Sequence, residues 1–194
     1  MEAKNYTPTR NILVTVDVQR DFIDGTLAVK NGLEVVAPLN RVARAVRAKM
    51  GNVAFTRDWH PASTPHFDTW PVHCVAGSEG AEFDPALEIE PDDVILDKGT
   101  GQTDGYSGIE GVSADGKTLE TLTAPRGWEN VAVYIGGLAT DYCVKATATD
   151  AAREGFTTTL LLDLTAAVAP ANVEDVAVEL AGAGVAIERH TVEP

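Results

Sequence analysis

Ile12-Leu-Val-Thr-Val16, running directly into Asp17-Val-Gln-Arg-Asp-Phe22, decides the fold. An unbroken apolar and β-branched run, without polar alternation, suits a strand covered on both faces. The same kind of run returns at Asn52-Val-Ala-Phe-Thr56, Val94-Ile-Leu96, Val131-Ala-Val-Tyr-Ile135, Thr157–Leu164 and Val185-Ala-Ile187. Between these lie stretches with helical spacing. Val35, Leu39, Val42 and Val46 mark a helix over 34–49, with Pro38 tolerable only in its first turn. Further helices are expected near 117–124, over 141–154 (Gly155 placed to end it) and over 171–182. Strand–helix alternation of this kind predicts an α/β protein with three α/β/α layers around a central, mostly parallel sheet of about six strands. Residues 11–190 read as a single domain and 1–10 as a flexible N-terminal extension.

Composition narrows the classes of function. The 194 residues are 44% hydrophobic, and 15 Lys plus Arg against 29 Asp plus Glu give a net charge of −14. A chain this acidic repels phosphate backbones and anionic lipid, which argues against nucleic-acid and membrane-surface partners. No apolar run approaches the ~18 residues of a membrane helix, and the first ten residues lack the apolar core of a signal peptide. The expected location is cytoplasmic. Two cysteines, Cys74 and Cys143, are too few for a disulfide framework. Homo-oligomer formation is left open.

In open α/β sheets, ligands bind beyond the carboxyl ends of the strands. There the sequence places Asp17, then Asp58-Trp-His60, then Lys98, then Gly136-Gly-Leu-Ala-Thr-Asp-Tyr-Cys143 leading into a helix. A lone thiol in an apolar setting is a small hydrophobe. In the first turn of a helix, with an ammonium to favour the thiolate and a carboxylate to take its proton, it becomes a nucleophile. Lys98 and Asp17 are the candidates for those roles. The backbone N–H groups of Ala139 and Cys143 are the candidates for an oxyanion hole.

Two long irregular segments, 57–91 and 97–116, interrupt the alternation, and such segments in a compact domain are usually functional or disordered. The first holds three of the four histidines, His60, His66 and His73, close to Asp58. Neutral imidazoles with a carboxylate form a donor set for one divalent transition metal ion, Zn²⁺, Fe²⁺ or Mn²⁺. His190 reads as an exposed tail residue. Gly111-Val-Ser-Ala-Asp-Gly-Lys-Thr118 matches a phosphate-binding loop, but no strand feeds it, and Asp115-Gly116 reads as an ordinary turn.

Six stretches resemble the nicotinamidase/pyrazinamidase family of the isochorismatase-like cysteine hydrolases. They are Val16–Phe22, Thr56–Pro61, Trp70–Val75, Asp97–Gly99, Tyr106–Gly108 and Gly137–Val144, in the family's order across nearly the whole chain. The resemblance implies the isochorismatase-like fold and NAD salvage through deamidation of nicotinamide, with pyrazinamide as a further heteroaromatic amide. It implies Asp17 as general base, Lys98 as electrostatic partner and Cys143 as nucleophile, passing through a thioester. Asp58, His60 and His73 would hold the metal, with His66 matching a ligand found in some members only. Phe22, Trp70, Tyr106 and Leu138 would bind substrate, and the Leu138–Ala139 peptide would be cis. The loop between His60 and Trp70 is shorter than the family pattern, which would widen the pocket or alter its lid. Two other readings remain: an amidohydrolase of N-carbamoyl or ureido substrates, and a non-catalytic protein with a structural metal site.

Overall fold

Ile12, Leu13, Val14 and Val16 have no solvent exposure, because the strand they form lies in the middle of a sheet covered on both faces. The computed structural model describes residues 10–122 and 131–189. Six strands, β1 (Arg10–Val16), β2 (Asn52–Asp58), β3 (Val94–Lys98), β4 (Val131–Leu138), β5 (Thr157–Ala166) and β6 (Ala186–Glu188), form one sheet. Its order is β3-β2-β1-β4-β5-β6 and every pairing is parallel, with Val14 opposite Ala54 on one side and Ile135 on the other.

Among the described residues four α-helices accompany it: α1 (Arg20–Ile23), α2 (Val36–Ala48), α3 (Lys145–Arg153) and α4 (Val173–Gly182). On one face Leu39, Ala43 and Val46 of α2 pack with Leu13, Val53 and Phe55. On the other, Ala148 and Ala151 of α3 and Val176 and Leu180 of α4 pack with Ile12, Val14, Ile135 and Leu160. Fully burying a Val, Leu or Ile side chain contributes roughly 1.5–3 kcal/mol, so these two layers dominate stability. Pro38 is the third residue of α2, within the first turn, where no intrahelical N–H is lost.

Two expectations are corrected. Arg10, assigned by its sequence to an extension, opens β1 opposite Val131; residues 1–9 lie outside the described residues. No helix forms over 117–122. There the N–H groups of Thr118 and Thr121 donate to each other's hydroxyls, so side chains take over the bonds a helix would make. Residues 123–130 and His190 lie outside the described residues. The short helix α1 has no counterpart in the periodicity, being four residues long. The phosphate-loop lookalike is a turn, with the Gly116 N–H donating to Ser113 O and Lys117 paired to Asp115. Among the described residues no helix is long and apolar enough to cross a membrane.

The strand order changes direction between β1 and β4, so the connections leaving their carboxyl ends turn to opposite faces of the sheet and open a crevice. At Gly137, near the end of β4, φ is +119° and a Cβ would lie 2.1 Å from the Val16 carbonyl oxygen. Only glycine permits that approach of the two backbones.

Candidate active site

Strands β1 and β3 and the turn after β4 each deliver one reactive side chain into the crevice. Asp17 leaves β1 with φ +48° and its N–H bonded to Thr56 O, which turns its carboxylate inward. Lys98 ends β3, and Cys143 lies in a π-helical turn, Thr140–Val144, between β4 and α3. Such turns recur at functional sites. All three are buried, Asp17 at 0%, Lys98 at 1% and Cys143 at 5% exposure.

The Lys98 ammonium is the hub. Nζ donates to Asp58 Oδ1 at 2.5 Å, Cys143 Sγ at 3.3 Å and Gly105 O at 3.3 Å, and stands 2.8 Å from Asp17 Oδ2. Thr56 Oγ1 donates to Asp17 Oδ1, and Oδ2 has the Lys98 ammonium as its ion-pair partner. Carboxylate oxygens of Asp17 and Asp58 and the Cys143 sulfur lie within 4.8 Å of one another.

The charges follow from this packing. Burial, helped by the nearby Asp58 charge, pushes Asp17 up to about 6 against the pull of Lys98 and Thr56. Burial also acts on Asp58, but the Lys98 ammonium outweighs it and holds that carboxyl below the usual range. Burial disfavours the Lys98 charge, yet the two carboxylates keep it well above its ordinary value. Burial and the two carboxylates hold the Cys143 thiol well above its ordinary value despite Lys98. Burial thus favours the neutral thiol until a partner takes its proton, the part the sequence reading gives to Asp17. A proton moved from Sγ to Asp17 leaves the net charge of the buried cluster unchanged, whereas its loss to water would add a second uncompensated negative charge.

The second half of the site is built from loops. His60, His66 and His73 are buried, with ring nitrogens within 4.8 Å of one another. Each Nδ1 is held by an oxygen: His60 by Gly99 O at 3.0 Å, His73 by Pro71 O at 2.7 Å and His66 by Asp104 Oδ1 at 2.7 Å. Those bonds leave Nε2 as the free nitrogen of each ring. Asp58 Oδ2 lies 3.6 Å from His60 Nε2 and 4.0 Å from His73 Nε2, so one carboxylate serves both halves. His60 Nε2 is buried with no hydrogen-bond partner, which costs free energy unless something accepts its lone pair. Anchored Nδ1 atoms and convergent Nε2 atoms are what a divalent metal requires of imidazole ligands, and the residues fit one.

A cleft leads to the sulfur, enclosing about 320 Å³ of atom-free space, its mouth included. Phe22, Trp70, Tyr106 and Ala139 line it. Trp70 Nε1 donates to Tyr106 OH at 3.0 Å, which fixes both rings. The Leu138–Ala139 peptide bond is cis. The Leu138 side chain does not line the cleft; it is fully buried in the α2-side core, and only its peptide borders the site. In the short loop after His60, Thr64 Oγ1 caps the turn carrying the buried His66, which lines the cleft.

Sequence reasoning missed several residues. Tyr142 lines the cleft and meets Trp70 edge-on at 4.8 Å. Asp104 holds His66, and Asp141 accepts from the Val168 and Ala169 N–H groups, fixing Val168 in the wall. Gln19 clamps both the N–H and C=O of Asp58.

Comparison with known proteins matches this geometry. The isochorismatase domain model covers residues 11–191. A nicotinamidase/pyrazinamidase of Mycobacterium tuberculosis is 40% identical over 164 residues, 80% of this chain and 86% of that one. A pyrazinamidase of Pyrococcus horikoshii, solved in complex with zinc, is 35% identical with a TM-score of 0.82, covering 93% of this chain and 99% of that one. PnC1 from L. infantum, solved in complex with nicotinate, is 33% identical with a TM-score of 0.79, covering 97% and 96%. With its parallel sheet, its crevice and its matched span, the chain belongs to the isochorismatase family.

Proposed function

We propose that the chain is a nicotinamidase/pyrazinamidase that deamidates nicotinamide to nicotinate and ammonia through a Cys143 thioester. The observation that carries this is the cluster of Asp17, Lys98 and Cys143 at the base of an aromatic-lined cleft. Asp17 takes the thiol proton, and Lys98 stabilises the sulfur's charge as it attacks the carboxamide carbon. The Ala139 and Cys143 N–H groups receive the oxyanion. Protonated Asp17 then gives its proton to the leaving ammonia as the C–N bond breaks. An entering water, deprotonated by the same carboxylate, releases the acid from the thioester. Asp58, His60, His66 and His73 would hold a divalent metal, which when bound supplies a Lewis acid to the pyridine nitrogen and orients the ring. Phe22, Trp70 and Tyr106 flank that ring. The location that accompanies this reading is cytoplasmic.

The test is ammonia release from nicotinamide by the purified protein, with acid quenching during turnover and mass analysis of the peptide containing Cys143. A nicotinoyl adduct on that peptide is expected. Turnover without it, or ammonia released only from an N-carbamoyl substrate, would overturn the reading.

A further inference from the structure

The three imidazoles are not held alike. His60 and His73 are fixed by main-chain carbonyls, of Gly99 and Pro71, whereas His66 is fixed by a side chain, that of Asp104. The His66 side chain is only 3% exposed, while that of Asp104 is 55% exposed. A carboxylate held out into water yet aimed at one buried ring nitrogen has a job beyond solvation. Asp104 also sits where one short segment touches every part of the site. Gly99 O binds His60, Asp104 binds His66, Gly105 O receives Lys98, and Tyr106 OH receives Trp70.

Resting on the metal reading above, we propose that Asp104 is a positioning residue for the metal centre, acting through His66. Its carboxylate keeps the Nδ1 proton on the ring, so Nε2 is the lone-pair nitrogen and points at the other two imidazoles. Its negative charge makes that nitrogen a stronger donor. His66 is thereby enlisted as a fourth protein donor beside Asp58, His60 and His73. Without Asp104 the ring is free to rotate or change tautomer, and the site falls back to three protein donors with weaker retention of the ion.

The experiment measures affinity for Zn²⁺ and Co²⁺ by competition with a chromophoric chelator, and the visible absorption of the Co²⁺-loaded protein, independently of turnover. Asp104→Ala is expected to weaken binding about 10–100-fold and to change the Co²⁺ spectrum. Asp104→Asn, whose side-chain oxygen still accepts from Nδ1, is expected to restore much of the affinity. In a His66→Ala background Asp104→Ala should cost nothing further. Unchanged affinity and spectrum in Asp104→Ala, or an equal loss in both backgrounds, would overturn the inference while leaving the metal reading intact. A wild-type protein with no measurable affinity for either ion would overturn both.

Discussion

The two halves of the cleft are built on opposite principles. The Asp17–Lys98–Cys143 half comes from strand ends and is electrostatically closed, every charge facing a partner. The histidine half comes from loops and is left open, with the His60 Nε2 lone pair unanswered. Asp58 joins them, giving Oδ1 to the ammonium and Oδ2 to the imidazoles. Groups that exchange a proton in the proposed reaction are preassembled at strand ends and on the turn after β4. Groups that wait for a ligand are hung on loops and oriented by outer hydrogen bonds.

Substitutions should separate the halves. Cys143→Ala is expected to lower kcat/KM by about 10⁴-fold or more, as loss of a nucleophile does, with metal content unchanged. Substantial residual turnover would move the chemistry to the histidine half. Next in size, Asp17→Asn should cost about 10²–10⁴-fold, the range for a lost general base. The same residue sets the acid limb. Asp17 must be ionised to receive the thiol proton, so wild-type kcat/KM should fall as pH drops through about 6 and level off above it. An acid limb unchanged in Asp17→Asn would assign it to another group. His73→Ala should do the reverse of Cys143→Ala: metal is lost and KM rises tenfold or more, about 1.4 kcal/mol per tenfold, while iodoacetamide labelling of Cys143 persists. Loss of labelling along with the metal would show that the halves are not separable.

Two smaller effects probe the supports. Gly99 has φ +63°, and a Cβ there would lie 2.5 Å from His60 Cε1. Gly99→Ala should therefore cost about 1–3 kcal/mol, lowering Tm by about 2–4 °C per kcal/mol in a chain of this size. An unchanged Tm would mean the loop absorbs the methyl group. Tyr142→Ala removes the edge-on contact with Trp70, a pair worth about 0.5–1.5 kcal/mol. It should raise KM roughly two- to tenfold with kcat unchanged, measured from initial rates of ammonia release.

The preassembled half was the more legible in sequence, and the reason is physical. Asp17 and Lys98 stand at the ends of apolar runs and Cys143 in the turn that follows one, so their position at the carboxyl edge of the sheet singles them out as candidates. The histidines announced themselves by type and crowding. Asp104 gave no signal, since a single acid in a glycine-rich segment has no periodicity and its partner is 38 residues away. Tyr142 was passed over because a residue beside a nucleophile points wherever the turn sends it, and a π turn sends it to the cleft wall. Leu138 was misassigned for a related reason: its peptide faces the site while its side chain faces the core. Gly136-Gly137 read as a loop although the strand continues to Leu138, because glycine there serves close packing of neighbouring strands.

That close packing at Gly137 bears on how the protein chooses among amides. With the backbones of β1 and β4 locked at van der Waals distance just before Asp17 and the nucleophile turn, acid and sulfur cannot spread apart to admit a bulkier acyl group. Discrimination by size must then fall to the rings opposite. Efforts to retune selectivity belong at Phe22, Trp70, Tyr106 and Tyr142, with the floor left alone.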